Sequence, residues 1–384
     1  MGHPNYYEEA SHLILQLGCN NPSRLRSCVQ NILESGYNFA EINLNCGCPS
    51  IESGGASSYG ASLMKDASLT AKLVHSAKCG LDEHFGGKKN NDLTPPKISV
   101  KCRIGFFDHA NDMQPLTDTD YSYLNEYLTS ICNAGADHVV LHARPAILAG
   151  LSPVKNRIVP ELNYQFVERV AHDFHGKMDV TINGGVTSLD QLETMQKDYF
   201  ERESSIDGIM AGRWCLRRPL DLVGVEALLQ KQRQQQQSHE NINSKIIVER
   251  VIEQYVNYAI QTATSSSNKQ QFTMAELCLP LFLVIEHLKD DYEYYYADEI
   301  DSNSNRPLLA CEEIESLYTV VLDGVQQMEE IMCPDNGSQP KKKKKKSVSS
   351  LSHDDVNFKK LSSSFKGLVG TKVANKWKRN RAEL

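Results

Sequence analysis

A thiol at the end of a strand is the first pattern in this sequence able to do chemistry. Ala40-Glu41-Ile42-Asn43-Leu44-Asn45-Cys46-Gly47-Cys48-Pro49 reads as a buried strand running into a Gly-Cys-Pro turn. Pro49 cannot continue a ladder, and parallel barrels carry their reactive groups at the C-terminal ends of strands. That places Cys48 at the mouth of a pocket. Further strand ends carry polar or glycine punctuation of their own: Gln16, Lys101, His142, Asn183-Gly184-Gly185 and Gly212-Arg213. With Cys46, Cys48 also makes a Cys-x-Cys half-site for zinc, although no partner pair stands at zinc spacing. A lone strand-end histidine or glutamine is by itself more often a satisfied structural group. Either glycine pair alone signals no more than a tight turn.

The elements that must position these residues alternate. Strands are expected over Leu13–Gly18, Phe39–Gly47, Lys97–Gly105, Ala136–Arg144, Asp179–Gly185 and Ile206–Arg213. Between them lie helices over Ser23–Ser35, Leu69–Ala77, Tyr121–Ala134, Tyr164–Phe174 and Leu189–Lys197. Alternation of this kind means a parallel sheet, and apolar runs such as Val139-Val140-Leu141 imply burial on both faces. No GxGxxG follows the first strand, which favours a closed barrel over an open dinucleotide-binding sheet. The expected organisation is a catalytic barrel over 1–225, a polar glutamine-rich linker over 226–243 and a helical domain over 244–333. A lysine-rich disordered insert over 334–361 and a basic C-terminal helix over 362–384 follow. Within the helical domain, Ile246–Thr262, Phe272–Leu288 and Cys311–Met332 carry helical periodicity.

Composition narrows the class. A chain of 384 residues with 40% hydrophobic content can hold one large domain and a smaller one. Its longest apolar run, Leu277 to Ile285, is interrupted by Pro280 and too short to cross a bilayer. The N-terminus lacks the apolar stretch of a signal peptide. Eleven cysteines, spread through apparent strands and helices, fit a reduced intracellular chain that is cytoplasmic by default. From Asp335 to Leu384 there are fourteen Lys/Arg against four Asp/Glu, so residues 1–334 carry 27 basic and 44 acidic groups. A polyanionic partner would be drawn to the tail. The alternative for Lys341–Lys346 is a solvated, disordered run.

Seven ordered motifs over residues 13–213 resemble the tRNA-dihydrouridine synthases, specifically their A-type branch. They are Leu15-Gln16-Leu17-Gly18, Glu41–Ser50, Tyr59-Gly60-Ala61-Ser62-Leu63-Met64, Val100-Lys101-Cys102-Arg103-Ile104-Gly105, His142-Ala143-Arg144, Ile182-Asn183-Gly184-Gly185-Val186 and Gly208–Arg213. A run typical of the branch, Gly150-Leu151-Ser152-Pro153 with Asn156-Arg157, Pro160, Leu162 and Tyr164, lies among them. The tail from Phe365 to Arg379 resembles the family's closing helix more weakly. The fold so implied is α/β, a TIM (β/α)8-type barrel short of its first two strand–helix units, followed by a C-terminal helical domain. The chain is therefore expected to be N-terminally incomplete. Val154 and Asn375 stand where the branch carries basic residues.

The resemblance implies FMN-dependent reduction of uridine to 5,6-dihydrouridine in the tRNA D-loop, at uridines 20 and 20a, with NADPH as reductant. A flavin supplies the hydride that no side chain can, and Cys48 gives the proton to C5. An unperturbed thiol, with a pKa of ~8.5, is mostly protonated at neutral pH and needs no tuning to donate. The structural alternative, a buried cysteine, weighs more for Cys46 and Cys102. Gln16, Lys101, His142 and Asn183 would face the flavin, Lys101 stabilising its anionic reduced ring. Gly184, Gly185, Gly212 and Arg213 would cradle the phosphate. Asn45 would meet the target base, and Arg144, Lys155 and Arg157 nearby phosphates. Lys376, Lys378 and Arg379 would hold the tRNA body. No metal and no membrane are expected, and the chain is expected to be monomeric. Two alternatives stay open: an RNA-binding module that has lost flavin, and a flavin oxidoreductase acting on free pyrimidines, against which the basic tail argues.

Overall fold

The six strands expected from the sequence pair into one parallel sheet. The computed structural model describes residues 12–37, 39–50, 58–86, 94–200, 204–234, 244–264, 272–297, 305–332, 356, 358, 361, 369 and 371–382. The chain divides into two compact units, residues 1–186 with 195–211 and residues 187–194 with 212–384. The Lys341–Lys346 run and most of the expected insert over 334–361 lie outside the described residues, as do Phe365-Lys366-Gly367 and Gly370.

The strands are β1 (Ile14–Leu17), β2 (Glu41–Cys46), β3 (Lys97–Arg103), β4 (Phe106–His109), β5 (His138–His142), β6 (Ala146–Ala149), β7 (Asp179–Asn183) and β8 (Gly208–Met210). Between them run α1 (Pro22–Glu34), α2 (Ala67–Gly86), α3 (Asp118–Asn133), α4 (Tyr164–Phe174) and α5 (Leu189–Phe200). The sheet order is β1-β2-β3-β5-β7-β8, with every pair parallel. Each step crosses over through a helix and strand order follows chain order without reversal. That is the winding of a (β/α) barrel, whereas a doubly wound sheet reverses at a switch point. Among the described residues the outer edges of β1 and β8 carry no strand. A second, two-stranded parallel sheet pairs β4 with β6, which in sequence read as the loops directly after β3 and β5.

The two faces of the main sheet differ in chemistry. Ile42, Leu44 and Cys46 of β2, Ile98, Val100 and Cys102 of β3, Val139 and Leu141 of β5, and Val180 and Ile182 of β7 are all buried. They share one face, because register partners in a parallel ladder point the same way. The other face carries Glu41, Asn43 and Asn45, then Ser99, Lys101 and Arg103, then His138, His142 and the buried Val140, then Asp179, Thr181 and Asn183. The expected burial on both faces holds for β5, whose five residues are all buried. Both faces are largely shielded, but only one is apolar.

The polar face is satisfied by hydrogen bonds across strands. His138 Nδ1 lies 3.0 Å from both carboxylate oxygens of Glu41, and its Nε2 lies 2.9 Å from Thr181 Oγ1. Burial opposes ionisation of Glu41, yet hydrogen bonds from His138 and Ser99 outweigh it and hold the carboxyl below its usual range. A buried polar interior of this kind is stable only when its members are paired.

The second unit contains α6 (Arg213–Arg217), α7 (Asp221–Gln234), α8 (Ser244–Thr264), α9 (Met274–Tyr295), α10 (Cys311–Met332) and α11 (Thr371–Ala382). The stretch expected as a linker from 226 is helical as far as Gln234. Gln, Leu, Lys and Arg are good helix formers, so polarity alone misleads there; residues 235–243 lie outside the described residues. A capping box of Thr273 and Glu276 starts α9. The core joins Val248, Ile252 and Val256 of α8, Leu281, Phe282, Ile285 and Leu288 of α9, and Ile314, Leu317, Val321, Val325 and Met328 of α10. Helix α11 docks on it through buried Ala374 and through Trp377, whose ring centroid lies 5.3 Å from that of Phe282. No described helix is long and apolar enough to cross a membrane.

Beside this core lies a buried ionic cluster. Arg218 Nε donates to Asp221 Oδ2 and its Nη1 to Asp291 Oδ1, both at 2.7 Å, while Trp214 Nε1 donates to Asp221 at 2.8 Å. His287 accepts the Leu220 N–H at Nδ1, which leaves its proton on Nε2, 3.3 Å from Asp291 Oδ2. Burial opposes the charge on Asp291, but His287 and Arg218 outweigh it and lower its pKa. Its contribution is therefore present above the unfolded carboxyl pKa of ~3.9 and is lost as pH falls through the lower folded value. Asp291→Ala leaves Arg218 Nη1 without its acceptor while Asp221 still balances the charge, and is expected to destabilise this unit by ~1.5–3 kcal/mol. Urea unfolding at neutral pH measures it, and a loss below ~1 kcal/mol would contradict the pairing.

Candidate active site

Strand β2 ends in a side-chain cap. Asn45 Oδ1 accepts the N–H groups of both Gly47 and Cys48 at 3.1 Å, an Asx turn that ends the strand just before Cys48. Asn45 Nδ2 donates to Gln16 Oε1 at 3.1 Å, and Gln16 Nε2 donates to Asn43 Oδ1 at 2.8 Å. The chain continues from Asn43 Nδ2 to Ser99 Oγ at 2.9 Å. Gln16 is thereby oriented, and Cys48 is fixed to β1 through one intervening side chain. On the far side of the turn the Ala61 N–H donates to Cys48 O at 2.9 Å. Gly60 has φ +55°, and a Cβ there would lie 2.4 Å from Cys48 O, so only glycine lets the 3₁₀ turn Gly60–Lys65 approach so closely.

Two cations, Lys101 half-buried and Arg103 buried, stand next to this turn. Lys101 Nζ donates to Asn183 Oδ1 at 2.9 Å, and Asn183 Nδ2 in turn donates to Met210 O at 2.8 Å. Arg103, 5% exposed, donates from Nε to Gly47 O at 3.1 Å and from Nη1 to Pro145 O at 3.1 Å and Asn156 O at 2.9 Å. Among the described residues no carboxylate pairs with either. Burial and the neighbouring Arg103 charge push Lys101 down to about 8. Burial, with Arg157 and Arg144 nearby, pushes Arg103 down to about 10. Cys48 is close enough to act electrostatically on both. Uncompensated cations of this kind make a site prepared for an anion or a developing negative charge.

His142 ends β5 opposite Asn183 and Arg103. Gly184 and Gly185 follow with φ +105° and +85°, and a Cβ on Gly184 would lie 2.9 Å from the His142 ring. On Gly185 a Cβ would lie 2.3 Å from the Tyr164 hydroxyl, which itself donates to Gly184 O at 2.8 Å. Packing and backbone conformation thus account for both glycines before any ligand is invoked. Gly212 and Arg213 belong to the second unit, where Gly212 caps the five-residue α6.

The structure therefore brings Gln16, Asn45, Cys48, Lys101, Asn183 and His142 together along the C-terminal ends of successive strands. Arg144 spends its Nη1 on the carbonyls of Ile158 and Pro160. Lys155 is exposed and Arg157 half-buried. In α11, Lys376 and Arg379 are exposed, whereas Lys378 lies 3.3 Å from the buried carboxylate of Glu286. Cys46 and Cys102 are register partners on the apolar face, and burial pushes the Cys46 thiol up to about 12 and the Cys102 thiol higher still. Sequence reasoning missed Arg103 and Asn156 as organisers, since their partners are backbone groups that leave no spacing signal. Among the described residues, no three His, Cys, Asp or Glu side chains gather as a metal site.

Fold and site define an α/β protein of barrel winding with a half-buried thiol beside paired cations. A family model described as dihydrouridine synthase matches residues 3–278, and the chain belongs to that family. Curated relatives named tRNA-dihydrouridine(20/20a) synthase are similar to it. The one from Shewanella oneidensis is 33% identical over 226 residues, 58% of this chain and 57% of the relative. That from Vibrio parahaemolyticus is 33% identical over 224 residues, 58% of each chain. That from Xanthomonas campestris pv. campestris is 35% identical over 218 residues, 56% of this chain and 55% of the relative. The alignments thus span less than three-fifths of these relatives' length.

Between its folded pKa of about 8 and the unfolded value of ~10.4, the unfolded chain holds the proton that Lys101 has lost. The residue's contribution to stability therefore rises with pH across that window. In reductively methylated protein, the Lys101 NMR resonance, assigned through Lys101→Met, is expected to titrate near the lower value. A midpoint above ~10 would contradict a half-buried ammonium without a carboxylate partner.

Proposed function

We propose that this chain carries the flavin-dependent reduction of uridine to 5,6-dihydrouridine in tRNA, at the D-loop positions for which its relatives are named. The observation that supports it most is the Lys101–Arg103 pair, a half-buried and a buried cation with no carboxylate partner among the described residues, set beside the Cys48 turn. A flavin fits this donor set, with Lys101 against the electron-rich edge of its ring and the amide of Gln16 and the imidazole of His142 as further partners. The bare backbone at Gly184 and Gly185 is the proposed phosphate site of the first unit. FMN held there, reduced by NADPH, would supply the hydride for C6 of the uracil.

The chain's own residues do the rest. Cys48 holds the proton that passes from Sγ to C5, and the thiolate left behind takes a proton from solvent before the next turnover. Asn45 fixes that thiol through the two amides it caps, and the hydrogen bond to Gln16 keeps the cap aligned with the flavin side of the site. The positive field of Lys101 and Arg103 stabilises negative charge developing on the uracil ring as hydride adds. Lys155 and Arg157, with Lys376 and Arg379 of α11, are the proposed phosphate contacts. Lys378 contributes to docking α11 through Glu286, and Arg144 to shaping the loop whose carbonyls it binds.

Cys48→Ala is expected to abolish dihydrouridine, mapped by mass spectrometry of treated tRNA, while the purified protein keeps its flavin absorbance. Colourless wild-type protein would sink the proposal in favour of RNA binding alone. Lys101→Met is expected to weaken FMN binding at least tenfold. In the wild type, affinity should fall as pH rises through about 8, because deprotonation removes the charge. An affinity flat between pH ~7 and ~9 would remove Lys101 from the flavin site.

A further inference from the structure

We infer that residues 151–160 form an RNA-facing strap pinned to the thiol turn, and that its exposed Ile158–Val159 pair fills the base stack vacated by the target uridine. The inference rests on the proposed function, since it assigns the element that keeps the substrate base extruded.

The strap is held at several points. One guanidinium, that of Arg103, binds Gly47 O, immediately before Cys48, together with Asn156 O and Pro145 O. Its donors form a rigid planar fork, so thiol turn and strap cannot shift independently. Asn156 is fully buried and closes a pair of bonds to Ile147, accepting its N–H at 2.7 Å and donating to its carbonyl at 2.9 Å. Arg144 then takes the carbonyls of Ile158 and Pro160. Backbone bonds from Arg157, Ile158 and Val159 close the turn between.

Despite this frame Ile158 is 61% exposed and Val159 43%. Burying such a side chain is favourable, and a fixed loop forgoes that gain twice in succession. Single exposed aliphatics need no explanation. An adjacent pair on an anchored turn, flanked by Lys155, Arg157 and Arg144 against one acid, Glu161, selects an occupant that is apolar and polyanionic together. A nucleic-acid stack is that occupant. Extruding a base opens a gap between its neighbours, and aliphatic wedges inserted between base steps are a known way to hold such a distortion.

The test uses the full chain and the double variant Ile158→Ser/Val159→Ser, on folded tRNA and on a short single-stranded oligonucleotide carrying the same uridine. The expected result is a fall of about tenfold in the ratio of kcat/KM for folded tRNA to that for the oligonucleotide, at unchanged flavin content and melting temperature. An unchanged ratio overturns the inference, including a loss equal on both substrates, which would mean the turn had merely loosened. A change of molar mass in light scattering overturns it too, assigning the pair to a protein interface. If the wild type reduces neither substrate, the proposed function fails by itself. A fluorescent adenine analogue beside the uridine then decides the wedge: brightening on wild-type binding and none with the variant supports it, and equal brightening overturns it.

Discussion

A parallel strand has two faces, and the whole first unit depends on their being given opposite chemistry. Ile42, Leu44, Ile98, Val100, Val139, Leu141, Val180 and Ile182 bury one side of the sheet. The residues between them, Val140 apart, turn Asn, Lys, Arg, His and Ser toward the other. Period-two alternation makes this arrangement all or nothing, because a one-residue slip of any strand would exchange the two sets. Register is therefore fixed by solubility of the apolar set, and the site geometry follows from register. Asn45 stands opposite Lys101, Arg103 opposite His142, and His142 opposite Asn183, with no loop conformation needed to bring them together.

Such an interior is costly unless its polar groups find one another, and most do. Glu41 finds His138 and Gln16 finds Asn43, while Asn183 joins Lys101 to β8. Lys101 and Arg103 depart from this economy: their hydrogen bonds go to neutral oxygens, and their charges stay unbalanced. Sites of strained electrostatics are where function concentrates. The helical unit shows the opposite case, since Arg218 meets two carboxylates there and its burial serves structure alone.

Much of this was legible from residue types. All six main strands fall within the ranges expected, Tyr164–Phe174 and Cys311–Met332 coincide with the observed helices, and the strand-end residues Gln16, Cys48, Lys101 and Asn183 do converge. What was not legible has a common cause. Arg103, Asn156 and the cap formed by Asn45 all act on main-chain groups, and a backbone carbonyl is the same atom whatever residue carries it. Asn45 accordingly reads in sequence as a base-contacting residue, whereas in the structure its oxygen is already committed to Gly47 and Cys48. The helix α7 was hidden by composition, its glutamines suggesting a linker where helix propensity prevailed.

The same indifference of carbonyls to side-chain identity has a consequence for how substrate preference can diversify. Arg103 grips the 151–160 segment by backbone atoms, and Asn156 alone among the strap's side chains is needed to seat it on Ile147. The remaining positions are free to drift without disturbing the thiol. On the proposed function, recognition and chemistry are mechanically joined yet genetically separable, and the strap is an exchangeable cassette beside the thiol turn.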